Sequence, residues 1–222
     1  MGSAQVQGRL WGAAPDDWSE LNEPLFAPLY ETVFDAVGVG SGTRILDLGC
    51  GSGLAVRLAA DRGALVSGLD ASEGLLGVAR SRAPEADLRL GDLEDLPFAD
   101  DAFDVVTSFN AVQYAADPVA ALREARRVAR PGAPVVVVTW AEPERCDSRT
   151  VLAALGGLLP PPPPGAGGPF ALSAPGRLEE LVSAAGFRPV RAAEAPVPFV
   201  FADLDTAVRA MLSAGPARIA VE

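Results

Sequence analysis

The sequence contains no histidine. A histidine general base and a histidine metal ligand are therefore excluded. Cysteine is nearly absent too. Cys50 and Cys146 are not spaced as a metal site, so no metal is expected, and so small a number of thiols points to a reducing, cytoplasmic setting. No apolar run approaches the roughly 20 residues that span a bilayer. The opening residues 1–7 lack a basic stretch followed by an apolar one, so no secretory leader is expected. Positive charge is scarce: 18 basic against 29 acidic residues leave a net charge of −11. That argues against binding a nucleic-acid backbone. The largest basic cluster, Arg123, Arg126, Arg127 and Arg130, falls on one expected helix and reads as its solvated face. What remains is a chain of 222 residues, 49% apolar and 21% charged, suited to one globular domain, alone or with a lid.

Residues 44–53 organise that domain. A short apolar run, 44–48, reads as a buried strand. It turns through Gly49, Gly51 and Gly53 and enters a helical pattern at Leu54. A strand, a glycine-rich turn and a helix N-terminus make a nucleotide pocket at the carboxyl end of a parallel strand. Glycine is needed there for positive φ and for close approach of a ligand to the backbone. A dinucleotide fingerprint, G-x-G-x-x-G, fails in both registers, because Leu54 or Val56 stands where its third glycine belongs. A phosphate loop fails because no Gly-Lys-Ser/Thr follows. The pattern is D-x-G-x-G-x-G, with Asp47 two residues before the first glycine. A carboxylate there opposes a pyrophosphate and suits a ligand that carries an ammonium group.

Further strands are expected at 64–69, 86–90, 103–107, 135–140 and 187–191, with helices at 54–61, 72–82, 117–129, 177–185 and 204–212. The fifth strand is so β-branched that both its faces should be buried. Asp70 ends the second strand, at about the separation where a carboxylate takes ribose hydroxyls. Two vicinal hydroxyls are donors, and a carboxylate offers two acceptors. The plainer reading of Asp70 is a helix cap. Before the first strand, 18–37 is helical, with Asp16 or Asp17 as cap and breaks at Pro24 and Pro28 that leave two short helices. It serves either as packing for the sheet or as a lid, with Trp11, Trp18 and Tyr30 on a substrate wall. Residues 141–175 lose periodicity, apart from a helical piece at 151–159. Their proline run 160–164 and glycines read as a cap over the substrate mouth or as a plain surface loop.

Taken in order, the glycine turn, Asp70, the Gly91–Asp92–Leu93 loop that continues to Pro97–Phe98, and the fourth strand with its exit loop resemble class I S-adenosylmethionine-dependent methyltransferases, of the small-molecule type related to ubiquinone and menaquinone biosynthesis. The resemblance covers about residues 9–212. It implies an α/β, Rossmann-like, doubly wound and mostly parallel sheet, a lid over 1–40 and a cofactor domain over 41–222. It implies S-adenosylmethionine bound by Asp47, Gly49, Cys50, Gly51, Gly53, Asp70, Ala71, Asp92, Leu93 and Asn110. Asp92 would accept from the adenine amine. Gln113 replaces a histidine common in the family, so it can orient a substrate but not take its proton; it joins Trp11, Trp18, Tyr30 and Trp140 as substrate residues. Tyr114 and Glu142 are the candidate bases. The partner implied is a small molecule, met by a monomer or homodimer. The family's seventh, antiparallel strand has no clear source here. It is missing, or residues 197–201 substitute, or a sheet edge is open. Two rival functions stand beside methyl transfer: a non-catalytic, cofactor-binding subunit, and an NAD(P)-dependent oxidoreductase.

Overall fold

In the computed structural model, which describes residues 3–157, 167–215 and 217, the run Arg-Ile-Leu-Asp-Leu becomes β1 (Arg44–Leu48), the central strand of a five-stranded sheet. Side chains alternate across it with the period of two. Ile45 is buried among Phe34, Val56 and Ala59 on one face. Leu46 and Leu48 are buried among Ala125 and Val128 on the other. β1 pairs in parallel with β2 (Leu65–Asp70) and with β4 (Val105–Phe109). β3 (Asp87–Leu90) lies beyond β2, and β5 (Val135–Val138) beyond β4. The strand order is β3-β2-β1-β4-β5. The chain moves outward from β1 to β3, then returns to the opposite side of β1. The order therefore reverses between β1 and β4, and the carboxyl ends part there into a crevice. This is the α/β, doubly wound, Rossmann-like architecture expected from the sequence.

The N-terminal segment departs from expectation. α1 (Ala4–Trp11) precedes the anticipated helical region. α2 (Pro15–Asp17), a π turn (Trp18–Asn22), a 3-10 turn (Glu23–Phe26) and α3 (Ala27–Val37) then follow without a break. Pro24 and Pro28 change the winding rather than end it. Each stands in the first turn of its new element, where no N–H is required. Neither Asp16 nor Asp17 caps; Ala14 holds that position, and both acids lie inside α2.

The helices between strands follow their local signals. α4 (Leu54–Asp61) starts at Gly53. α5 (Glu73–Arg82) is capped by Ser72, whose Oγ accepts from Leu75 N at 3.2 Å. α6 (Pro118–Val128) is capped by Asp117, which accepts from Val119 N and Ala120 N, both at 3.0 Å. α7 (Arg149–Gly156) begins two residues before the expected helical piece. The proline run 160–164 lies outside the described residues. α8 (Arg177–Ala184) packs Leu181 with Leu122 of α6, and α9 (Leu204–Ser213) is capped by Asp203, which accepts from Thr206 N at 2.7 Å.

The sixth strand expected at 187–191 does not form, nor does 197–201 pair with the sheet; both are outside any ladder. Pro189, Pro196 and Pro198 remove the donors a ladder needs, and Val190 is 86% exposed. Among the described residues there is no antiparallel strand in the sheet, and β5 is its edge. All four β5 valines are consequently half-buried rather than buried on both faces. Val137 and Phe187 pack against one core cluster, and Val138, Val197 and Phe199 against the other.

Candidate active site

The glycine turn fills the crevice. Gly49, Gly51 and Gly53 have φ of +75°, +55° and +82°, a region that L side chains enter at a cost. Two of the three also make room for protein. A Cβ at Gly49 would stand 2.2 Å from Ala111 Cβ, and one at Gly53 would stand 2.7 Å from Ala79 Cβ. Gly51 is different. The nearest atoms to a Cβ there are Glu23 Oε1 at 3.6 Å and Trp18 Nε1 at 3.8 Å, and its free side opens on a cavity.

Two carboxylates brace the turn. Asp70 closes β2, and its Oδ2 accepts from Gly51 N and its Oδ1 from Ser72 N, each at 2.8 Å. Burial raises its pKa even so. Glu23 arrives from the N-terminal segment and is almost wholly buried. Its Oε2 accepts from Ser52 Oγ at 2.5 Å and from Arg82 Nη1, and its Oε1 accepts from Leu54 N, the first residue of α4. Arg82 also donates to Ser52 O at 3.1 Å and Ser19 O at 2.7 Å. Burial raises the Glu23 pKa against the pull of Ser52 and Arg82. Asp47 sits deeper, 3% exposed, opposite Thr107 of β4, whose Oγ1 donates to it at 2.7 Å. Burial pushes its pKa up to about 7; Thr107 opposes the shift, and Glu23 and Asp70 add to it.

The cavity runs from these strand ends to an aromatic wall. On the strand side it is lined by Gly49, Gly51, Asp70, Ala71, Asp92, Leu93 and Asn110. Asp47, Cys50 and Gly53, expected beside them, lie behind that lining. Burial pushes the Cys50 thiol well up. Asp92 Oδ1 accepts from Glu94 N at 3.1 Å, which sets the loop after β3. Asn110 takes φ of +53° at the end of β4 and donates its N–H to Val138 O at 2.9 Å. Gln113 is buried behind the wall. Its Nε2 donates to Asn110 Oδ1 at 3.4 Å, and its Oε1 has no donor among the described residues.

Opposite stands a connected set of rings. Tyr114 meets Trp11 edge-on at 5.5 Å, and Trp11 meets Trp18 at 5.0 Å. Trp18, Tyr30, Trp140 and Phe199 all contact Phe26, and Tyr30 meets Phe109 at 4.5 Å. Trp11, Trp18, Tyr30, Tyr114 and Trp140 are thus on the cavity wall, as are Phe26, Phe109 and Phe199, which were not read as site residues. Burial raises the pKa of both phenols, Tyr30 and Tyr114. That direction opposes a phenolate base at Tyr114. Glu142, the other candidate base, is half-buried ahead of the turn Pro143–Arg145 and off the wall. Asp16 and Asp17 are off it as well, and Asp17 pairs with Arg209 of α9 at 2.5 Å.

Two seams hold the aromatic wall over the strand ends. A Cβ at Gly8 of α1 would fall 2.0 Å from Ala71 O, and one at Gly12 would fall 2.6 Å from Ser72 Oγ. Ser3 Oγ donates to Tyr114 O at 2.7 Å. α1 therefore reaches from the exit of β2 to the exit loop of β4. Asn22, buried next to Glu23, donates to Ala210 O and to Ser213 Oγ at 3.1 Å. That bond holds α9, which brings Met211 to the cavity. Neither Asn22 nor Glu23 carries a local signal, since each is one of several polar residues in a mixed stretch, Ser19, Glu20, Asn22 and Glu23.

Residues 46–137 match the family model described as a methyltransferase domain. The chain is 41% identical over 119 residues to a demethylmenaquinone methyltransferase of Renibacterium salmoninarum, covering 54% of this chain and 50% of that one. It is 42% identical over 108 residues to a malonyl-(acyl-carrier protein) O-methyltransferase of Serratia marcescens, covering 47% and 42%. It thus spans about half the length of these curated relatives. Among solved structures, a SAM dependent methyltransferase from Aquifex aeolicus shares the fold, with a TM-score of 0.60, 20% identity, and coverage of 80% of this chain and 90% of that one.

Proposed function

We propose that this chain, whose residues 46–137 match a methyltransferase domain model, is a class I S-adenosylmethionine-dependent methyltransferase that methylates a small molecule held in the cavity. The donor set supports this cofactor. Among the described residues the cavity wall carries the carboxylates of Asp70 and Asp92 and no arginine. A wall of that kind suits a ligand with a positive charge and hydroxyl donors, and gives a dinucleotide's pyrophosphate no cationic side chain. Bound S-adenosylmethionine supplies a methyl group on a cationic sulfur. Asp70 would hold the ribose hydroxyls, since each of its oxygens has a lone pair left beside its backbone bond. Asp92 and Leu93 would face the base, and the open side of Gly51 and Asn110 would face the amino-acid end. Asp47 would act from behind the lining, as a buried carboxyl whose charged form a cationic ligand would favour.

Residues 4–26 and α9 would serve as the lid, excluding water and holding the acceptor. With Asp70 and Asp92 given to the cofactor, no other group on the described wall is poised as a base, because the phenol pKa values are raised and Glu142 is elsewhere. Rate would then come chiefly from positioning, which contributes effective molarities of about 10⁵–10⁸ M in well-oriented systems. The acid-only cavity wall carries this reading. Incubation with S-adenosylmethionine and a panel of phenols, thiols and amines, followed by mass spectrometry, tests it. S-adenosylhomocysteine and a product heavier by one methylene are expected. Binding of the cofactor with no turnover on any acceptor would favour the non-catalytic subunit instead.

A further inference from the structure

We infer that Glu23 is a positioning residue which, with Asn22 beside it, links the glycine turn to α9, so that filling the cofactor seat and closing the far side of the cavity favour one another. This rests on the cofactor reading above and adds a coupling between that seat and its cover. Three observations carry it. First, the start of α4 is completed from another element. Its cap, Gly53, has no side chain to offer, and the first N–H groups of a helix have no partner within it. Glu23 Oε1 accepts from Leu54 N at 3.3 Å, and its Oε2 accepts from Ser52 Oγ at 2.5 Å. A carboxylate at a helix N-terminus is also favoured by the helix dipole. Asp70 holds the same turn from the other side, through Gly51 N at 2.8 Å. The turn thus keeps both carboxylate braces only while Glu23 is docked.

Second, two adjacent residues take separate partners. The winding changes from π to 3-10 between Asn22 and Glu23, a change that often marks a functional joint. Glu23 serves the turn, and Asn22 donates to Ala210 O and to Ser213 Oγ, the latter at 3.1 Å, in α9. Both side chains are buried. Neither residue can move far without pulling on the other, because one planar peptide joins them. Third, α9 depends on this joint. Among the described residues, the side-chain hydrogen bonds between α9 and other elements go to Asn22 and Asp17. The stretch leading into α9, residues 188–203, joins no ladder, and Met211 of α9 lines the cavity. A ligand seated against Gly51 would fix the backbone that Glu23 binds, and linkage makes such an effect run equally in both directions.

The probe is S-adenosylhomocysteine, added to the full chain and read by hydrogen exchange and by titration calorimetry. In the unaltered protein, saturating probe is expected to slow exchange both at 51–56 and in α9. Glu23→Gln keeps an oxygen for Leu54 N but loses the charge that pairs with Arg82. Its affinity for the probe is expected to fall about tenfold. At saturation the probe should still slow 51–56 in this variant, while its effect on α9 falls at least several-fold. A merely structural role would instead speed both segments alike, with or without the probe. If Glu23→Gln does not fold, Asn22→Ala cuts the same link at its other end, and the same loss at α9 is expected. Undiminished slowing of α9 in the variant that folds, or unchanged affinity in Glu23→Gln, overturns the inference and leaves the cofactor reading standing. No binding of the probe to the unaltered protein overturns both.

Discussion

Across one cavity, the floor at the strand ends is built of backbone and carboxylates, and the opposite wall is built of rings. The floor comes from short stretches that follow β1, β2, β3 and β4. The wall is gathered from α1, the π and 3-10 turns, β4's end, residues 140 and 199, and α9. A floor of positive-φ glycines has no freedom to adjust, because a side chain either fits the backbone or moves it. A wall of rings can repack around a changed neighbour. The two should therefore respond differently to single substitutions.

The largest effect is expected at Gly53. Gly53→Ala places a Cβ 2.7 Å from Ala79 Cβ and 2.9 Å from Ala79 Cα at φ +82°. Strain and overpacking together should cost about 2–5 kcal/mol in urea unfolding. Gly51→Ala, whose Cβ would meet only ordinary contacts with Glu23 Oε1 and Trp18 Nε1, should cost only about 1–2 kcal/mol of stability yet weaken cofactor binding. Equal destabilisation by both would break the distinction between packing glycine and ligand glycine.

Glu23→Ala comes next. It leaves Arg82 and Ser52 without their acceptor, and removing one partner of a buried pair costs about 3–5 kcal/mol. Arg82 is one-quarter exposed, so about 2–3 kcal/mol is expected. Calorimetric unfolding unchanged within error would show that the lid is not anchored there. Asp70→Ala should keep the fold and weaken cofactor affinity by about 1.5–3 kcal/mol, the value of hydrogen bonds to a charged group. Titration calorimetry reads this directly, and an unchanged affinity removes Asp70 from the site.

A smaller effect should appear in pH. Asp47 titrates near 7 when folded and near 3.9 when unfolded. Between those values the folded chain binds the extra proton, so this group's contribution to stability is fully present below about pH 4 and is lost as pH rises through about 7. The slope is at most about 1.4 kcal/mol per pH unit. Asp47→Asn should flatten this part of the curve in urea unfolding measured between these limits, and an unaltered slope would assign it to other groups. Least affected should be the wall: Phe26→Leu should alter stability by less than about 1.5 kcal/mol while loosening the hold on the acceptor.

The floor was legible because each of its parts is local. A strand, a turn and a helix start within a few residues, and Asp70 and Asp92 follow strand ends directly. Even there, the reason for Gly49 and Gly53 is contact with Ala111 and Ala79, which no neighbour in sequence announces. The wall was legible only as candidate aromatics. Its assembly depends on Asn22 meeting Ala210 and Ser213, and on Glu23 meeting Arg82, across long separations. The expected strands at 187–191 and 197–201 were misread because apolar content was weighed above Pro189, Pro196 and Pro198. The caps expected at Asp16 and Asp17 failed because the helix starts earlier, at Pro15.

The account's central claim is that the strand-end floor is a seat for S-adenosylmethionine. Parallel calorimetric titrations of the full chain with S-adenosylmethionine and with NAD+ test it most directly. S-adenosylmethionine should bind, more weakly in Asp70→Ala and Gly51→Ala proteins that remain folded, and NAD+ should not. Tight NAD+ binding without S-adenosylmethionine binding, or equal cofactor affinity in all three proteins, would contradict it.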